Sequence, residues 1–448
     1  MEINMTEKAL ELLKAKRFVD LKNLFLVLNA PDVALILEEM PEESLPVLFR
    51  ILPKELASEA FVEMDYDSQE LLIRAFTDKE LKEVLDELFV DDAVDLIEEM
   101  PAGVVKRILR NTDPETRRVI NQILNYPEDS AGSIMTTEYV RLQKEMTVDQ
   151  AFNRIRQTGA DKETIYTCYV TDERRVLLGV VTVRQLLLAD REATIGDIME
   201  TNLISVDTMM DKEEAVQTLS HYGFSVMPVI DKEQRLVGII TFDDALDVIE
   251  EEATEDIAMM SAVTPTDKPY LKTGVFELVR SRIVWLLVLM LSATFTSIIL
   301  TSFEESLAAC VVLTAYIPML TSTGGNSGSQ ASATIIRSLS LGEVDLPDLP
   351  AILWKEARVA LIAGAILGVA NFIKLLIFDK LAIPVAIVIC LTLYATVIMA
   401  KLVGCTLPIL AKRLKLDPAV MANPFISTIV DALSLIIYLT IATAVLGL

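Results

Sequence analysis

Apolar and polar positions change their rhythm twice along this 448-residue chain. To about Asn125 the apolar residues recur three and four apart in short pieces, LILEEMPEESLPVLFRILPKELASEAFVEM and then ELKEVLDELFVDDAVDLIEEMPAGVVKRIL, which predicts a succession of amphipathic helices. Prolines 31, 41, 46, 53 and 101 stand where one helix should stop or the next begin. The motif EEMP at Glu38 to Pro41 returns at Glu98 to Pro101, which suggests stacked helical hairpins in a small superhelix.

After Tyr126-Pro127 short β-branched runs alternate with helical stretches, and an internal repeat emerges. Ile134-Met135-Thr136-Thr137 recurs as Ile198-Met199-Glu200-Thr201, and Gly179 to Thr182 (GVVT) recurs as Gly238 to Thr241 (GIIT). Each half also carries one helix, TVDQAFNRIRQ or DKEEAVQTLSH, and one paired-strand unit. Four landmarks in the same order twice resemble a tandem cystathionine-β-synthase-type (CBS) pair over about residues 131–255. Such pairs bind adenosine nucleotides, with an aspartate after the Gly-hydrophobic-hydrophobic-Thr strand on the ribose. The resemblance puts that role on Asp244, whereas the first repeat has Gln185 in the matching place.

From Ile283 the rhythm gives way to long apolar spans: Ile283–Ser302, Ser306–Ile336, Val359–Phe378, Leu381–Ala411 and Val420–Leu446. Each reaches the roughly 20 residues needed to cross a bilayer, so five crossings are expected if the long second stretch counts once. Arg280, Arg282, Arg337, Lys355, Arg358, Lys412, Arg413 and Lys415 flank the span ends on one side, against Lys374 and Lys380 on the other. The positive-inside rule then predicts a cytosolic N-terminal half and an external C-terminus.

Charge sharpens this division. Residues 1–280 hold 30 basic and 56 acidic residues, a net charge of −26, against ten and nine from Ser281 onward. So acidic a front half repels nucleic acid and concentrates cations around itself, and no nucleic-acid partner is expected. MEINMTEKAL lacks the basic and apolar regions of a cleaved leader. The four cysteines are scattered and His221 is the single histidine, which excludes HExxH zinc sites and argues against a Ser-His-Asp triad. No enzyme is expected.

Two regions carry candidate chemistry. From Phe242 the stretch DDALDVIEEEATEDIAMMSAV is helix-compatible and dense in carboxylates three and four apart, so like charges stack unless cations screen them. A solvated linker helix is the plainer alternative. In the last span Asp431 stands near the middle, an expensive position unless it lines a wet cavity or meets a counter-charge. Lys401 is the one candidate counter-charge. Asn423-Pro424 is expected to disturb the helix and free backbone oxygens, with Ser427 between the pair and Asp431. Asn423, Ser427 and Asp431 thus form an oxygen-only stripe, which favours magnesium, calcium or manganese over zinc or copper. The segment TSTGGNSGSQASAT at 321–334 adds Asn326, Ser327, Ser329 and Gln330, polar atoms expected to face water or another helix.

The order of parts, together with GGN-x-G-x-Q at Gly324 to Gln330 and Asn-Pro followed by Asp431, resembles the MgtE family of magnesium channels over essentially the whole chain. The fold class implied is multidomain: an all-α superhelical domain at 1–126, an α+β tandem CBS domain at 127–255, an acidic connecting (plug) helix at 243–265 and a polytopic all-α pore domain of five helices at 270–448. The resemblance further implies a homodimer in the lipid of the cytoplasmic membrane, Mg2+ as both transported and regulatory ion, ATP at the CBS pair, and closure by cytosolic Mg2+. It carries pore lining to Asp431, Asn423 and Ser427. Sensor sites fall on Glu59, Asp91 and Asp95, on Asp211 and Glu213, and on Asp247, Glu252, Glu255 and Asp256. A proton-coupled secondary carrier of divalent cations shares the intramembrane carboxylate and is the alternative.

Overall fold

The computed structural model describes residues 2–266, 270–271, 273–421 and 423–447, with the side chains of residues 2–4, 306, 421 and 423 outside the description. Two compact units result, Met1–Ile249 and Glu250–Leu448.

The first unit opens with short α-helices from Glu2–Lys14 to Pro114–Ile123. Pro41, Pro53 and Pro101 each stand immediately before a helix, and Pro31 and Pro46 occupy first turns, where a missing amide hydrogen removes nothing the helix would use. Asp65, Thr77 and Asp113 accept hydrogen bonds from first-turn amides, and Thr77 forms a reciprocal box with Glu80. The methionines of the two EEMP motifs, Met40 and Met100, are buried beside residues such as Leu37, Phe61 and Ile97.

Two three-stranded sheets follow. Strands β1 (Tyr139–Gln143), β2 (Thr164–Thr171) and β3 (Leu177–Thr182) form one, and β4 (Val206–Asp207), β5 (Val226–Ile230) and β6 (Leu236–Thr241) the other. In both, the first pair is parallel across a helix and the second is an antiparallel hairpin. The repeats also exchange segments. Thr136 pairs with Ile239 of β6 through two 2.8 Å bonds, while Glu200 pairs with Val180 of β3. A Cβ at Gly238 would lie 2.6 Å from Met135 Sδ, and one at Gly179 would lie 2.8 Å from Met199 Sδ. The glycine of each GxxT strand therefore leaves room for the methionine of the other repeat.

The helix α1 (Phe242–Met260) leads out of β6. In the second unit come α2 (Val275–Ser302), α3 (Ile317–Ser340), α4 (Leu349–Ile377), α5 (Ile383–Arg413) and α6 (Asn423–Leu446). The long second span of the sequence resolves into a short helix Glu304–Ala309, a 3-10 segment Val311–Tyr316 and then α3. Four of these helices are apolar enough to cross a bilayer on composition alone, α2 and the helices spanning Leu346–Ile377, Ile383–Arg413 and Pro424–Leu446. The fifth long helix, α3, is diluted by its Gly, Ser and Thr residues and is instead wrapped by α5 and α6. Gly324 and Gly328 make that possible: a Cβ at Gly324 would meet Thr396 at 2.7 Å, and one at Gly328 would meet Ile426 at 2.7 Å. Gly404 of α5 lies directly against the Gly328 backbone.

Candidate cation sites and nucleotide cleft

Within α6 the stripe predicted from sequence is built by spacing, since residues four apart return to nearly the same face. Asp431 sits on it, half-buried, one turn from Ser427 and beside fully buried Val430. Ser427 faces α3, its Oγ 3.4 Å from where a Cβ of Gly325 would be. The side chain of Asn423 lies outside the described residues. The Asn-Pro pair corrects one expectation: it opens α6 rather than interrupting it, because Pro424 falls in the first turn, where no carbonyl needs its amide.

Lys401 does not neutralise Asp431. Its Nζ lies 3.5 Å from Glu356 Oε2 on α4, the lysine side chain being 10% exposed and the glutamate 17%. Among the described residues no hydrogen bond or ion pair reaches the Asp431 carboxylate. On α3, Ser322, Asn326 and Gln330 are exposed four residues apart, a polar face on a helix flanked by apolar ones. Hydrocarbon against those amides would cost several kcal/mol, roughly, so that face calls for water or another protein surface.

In the first unit a cluster of carboxylates forms around Asp91, which is 7% exposed with Oδ1 accepting no hydrogen bond. Burial, followed by the nearby charges of Asp244, Asp92 and Glu163, raises its pKa well above the ordinary carboxylate range. Burial and Asp244 push Asp92 up to about 6, and burial with Asp244 and Asp243 pushes Glu163 up to about 7. Asp244 itself rises to about 6 through burial and its acidic neighbours Asp243 and Asp247, against a hydrogen bond donated by Thr241. Glu138 accepts from the Val90 amide at 3.0 Å, at the start of the Val90–Glu99 helix that carries Asp91 and Asp92. The family resemblance marked Asp91 but not Asp92, Glu138 or Glu163; only the fold brings Glu163, just ahead of β2, close to Asp91 on the Val90–Glu99 helix.

The remaining predicted sensor residues are more dispersed. Glu59, Asp95, Asp211 and Asp247 are exposed. Asp211 caps the Lys212–Tyr222 helix, and Glu213 accepts from Gln217 at 3.0 Å. Glu252 and Glu255 are partly buried. In the second unit Asp256 accepts a 3.0 Å hydrogen bond from Ser340 at the end of α3, and burial and Asp417 raise its pKa. Met259 and Met260 pack on Ile336 and Ala419 beside it. Asp417 had no signal in the sequence beyond its charge. Among the described residues no three His, Cys, Asp or Glu side chains form a complete metal site by themselves. A hydrated ion held through water needs fewer direct ligands.

A cleft of about 1120 Å³ opens on the CBS pair. Glu163, Tyr166, Thr182, Arg184, Thr241 and Asp243 are among its lining residues. Gln185, in the first repeat's ribose position, closes a capping box with Thr182. Asp244 is not among the lining residues; it accepts from Thr241 and faces the Asp91 cluster.

Comparison with known proteins agrees with this architecture. Residues 317–441 match the family described as a divalent cation transporter, MgtE, residues 28–129 the MgtE intracellular N domain, and residues 131–192 and 195–251 the CBS domain. A magnesium transporter MgtE of Thermus thermophilus is 36% identical over 94% of this chain and 93% of its own length. Its Bacillus subtilis namesake is 30% identical over 97% and 95%. A crystal structure of the cytosolic domain of the Mg2+ channel MgtE in complex with ATP superposes with a TM-score of 0.52 at 34% identity, over 54% of this chain and 99% of that one.

Proposed function

Since this chain belongs to the MgtE family of divalent cation transporters, we propose that it is a Mg2+-selective channel of the cytoplasmic membrane, with Asp431 as the ion site of its pore. The observation that carries this is the carboxylate itself, without a counter-charge among the described residues while the Lys401 ammonium is engaged by Glu356. A buried anion of that kind is stabilised by a passing cation. Ser427 and Asn423 complete the stripe, and water retained by Mg2+ bridges to their oxygens.

Two copies of the chain related by a two-fold axis would turn the polar face of α3 away from lipid and set two Asp431 carboxylates against one divalent charge. The acidic half lies in the cytosol and the C-terminus outside, as the basic flanks indicate. Cytosolic Mg2+ closes the channel by binding Glu59, Asp91, Asp95, Asp211, Glu213, Asp247, Glu252, Glu255 and Asp256, because only ions with higher affinity for the closed arrangement shift the equilibrium. ATP occupies the CBS cleft. Within that cleft Thr241 is available to its ribose and Arg184 to its phosphates, whereas Asp244 is turned to the Asp91 cluster.

The test is Mg2+ flux into vesicles holding the full chain. Asp431→Asn should lower flux at least about tenfold, an effect of the size expected when an intramembrane charge is removed. Flux equal to the parent would exclude Asp431 as the pore site.

A further inference from the structure

Among its described residues the second unit buries one ammonium, that of Lys401, and a buried charge demands a partner of opposite sign. The helices α4 and α6, both packed on α5, each carry one carboxylate. Glu356 on α4 takes the ammonium at 3.5 Å, with its Oε2 accepting no hydrogen bond from any other group. Asp431 on α6 is the second. Ala400, adjacent to Lys401, packs against Ile426 and Val430, the latter adjacent to Asp431, so the two helices run side by side there. Glu356 lies seven residues into α4 and Asp431 eight residues into α6, which places both roughly 11 to 12 Å from those helix ends. The four-carbon stem of lysine is flexible enough to choose between partners on neighbouring helices.

We propose that Glu356 is a positioning residue that holds the Lys401 ammonium on the α4 side and so keeps Asp431 open to a hydrated divalent cation. The proposal rests on the reading of Asp431 as the pore site. Without Glu356 the ammonium is left buried and unpaired, and Asp431 is the remaining carboxylate on the long helices packed against α5. A tethered monovalent cation then competes with Mg2+ for that carboxylate. Removing Lys401 instead takes away the competing ammonium, and Asp431 is undisturbed.

This asymmetry separates positioning from mere packing. Full-length protein in phosphatidylethanolamine–phosphatidylglycerol vesicles loaded with a Mg2+ dye would be compared as parent, Glu356→Gln, Lys401→Met, the double variant and Asp431→Asn, each first checked for a monodisperse size-exclusion peak. Glu356→Gln should raise the half-saturating Mg2+ concentration at least about tenfold. Lys401→Met and the double variant should stay within about twofold of the parent. Equal impairment of both single variants would show a pair that only fastens α4 to α5, and unchanged behaviour of Glu356→Gln would show a pair without consequence; either overturns the proposal. If Glu356→Gln does not fold, the double variant decides, because it must fold and saturate as the parent does. Parent-like flux from Asp431→Asn would instead defeat the pore reading, whatever the other variants do.

Discussion

Asp92, Glu163 and Asp244 titrate near neutrality because burial and mutual repulsion disfavour their ionised forms. The folded protein thus keeps protons that the unfolded chain has released by about pH 5, given ordinary carboxyl pKa values of about 4. Stability from such groups is fully present below the unfolded pKa and is lost as pH rises through about 6 to about 7. The melting temperature of the detergent-solubilised protein in EDTA should therefore fall between about pH 5 and pH 8, and Glu163→Gln should make the fall shallower. Added Mg2+ should restore the temperature at pH 8 if ions settle among these acids, since a ligand that binds only the folded form stabilises it. A melting temperature in EDTA indifferent to pH would show the cluster to be electrostatically inert. Ser340 offers a second test at this scale. Its hydrogen bond to Asp256 joins the end of α1 to the end of α3. Losing about 1 kcal/mol in Ser340→Ala should raise the internal Mg2+ needed for half-closure by about fivefold, read in patch recordings. An unchanged midpoint would mean that this contact is the same in the open and closed forms.

Among the elements, α3 owes its place to missing side chains. Gly404 touches the Gly328 backbone, so even one methyl must push α5 away from α3. Gly404→Ala should lower the melting temperature and the yield of folded protein, whereas Gly103→Ala should raise stability by about 0.5 to 1 kcal/mol. That second site is helical with nothing within 4 Å of the added carbon. A Gly404→Ala protein as stable as the parent would mean that the two helices are not held at this distance. The CBS repeat was legible in the sequence for a related reason: its glycines and methionines recur because each pair makes the same close approach across the exchange. The boundaries of α3 were not. An apolar window cannot distinguish Ser306 to Tyr316, which form a short helix and a 3-10 turn, from the spanning helix after them. The Asn-Pro pair misled for want of a start point, since proline breaks a helix interior and begins a helix equally well. Asp431 was visible because charge at membrane depth is rare, but that Lys401 pairs with Glu356 instead depends on how α4 packs on α5, which spacing within one helix does not reveal.

Across the whole molecule the question is whether the net charge of −26 in residues 1–280 acts as a diffuse repulsion or through discrete sites. The two differ in their response to salt. Diffuse repulsion is screened over about 8 Å at physiological ionic strength by any small cation, so added monovalent salt would favour the closed arrangement almost as well as Mg2+. Discrete sites respond to occupancy. Moving a channel from mostly open to mostly closed takes about 5.5 kcal/mol of preference, which couplings of about 1 to 3 kcal/mol at several sites per chain can supply. The burial of Asp91, with an oxygen that no donor reaches, favours the second account, because bulk counter-ions do not compensate a group so enclosed. Internal choline chloride raised to the ionic strength of a closing Mg2+ solution should therefore leave the open probability high. Glu255→Gln with Asp256→Asn should displace the Mg2+ midpoint upward without abolishing closure, as the other sites remain. Closure by choline alone would return the mechanism to simple screening and take the sensor role from the named carboxylates.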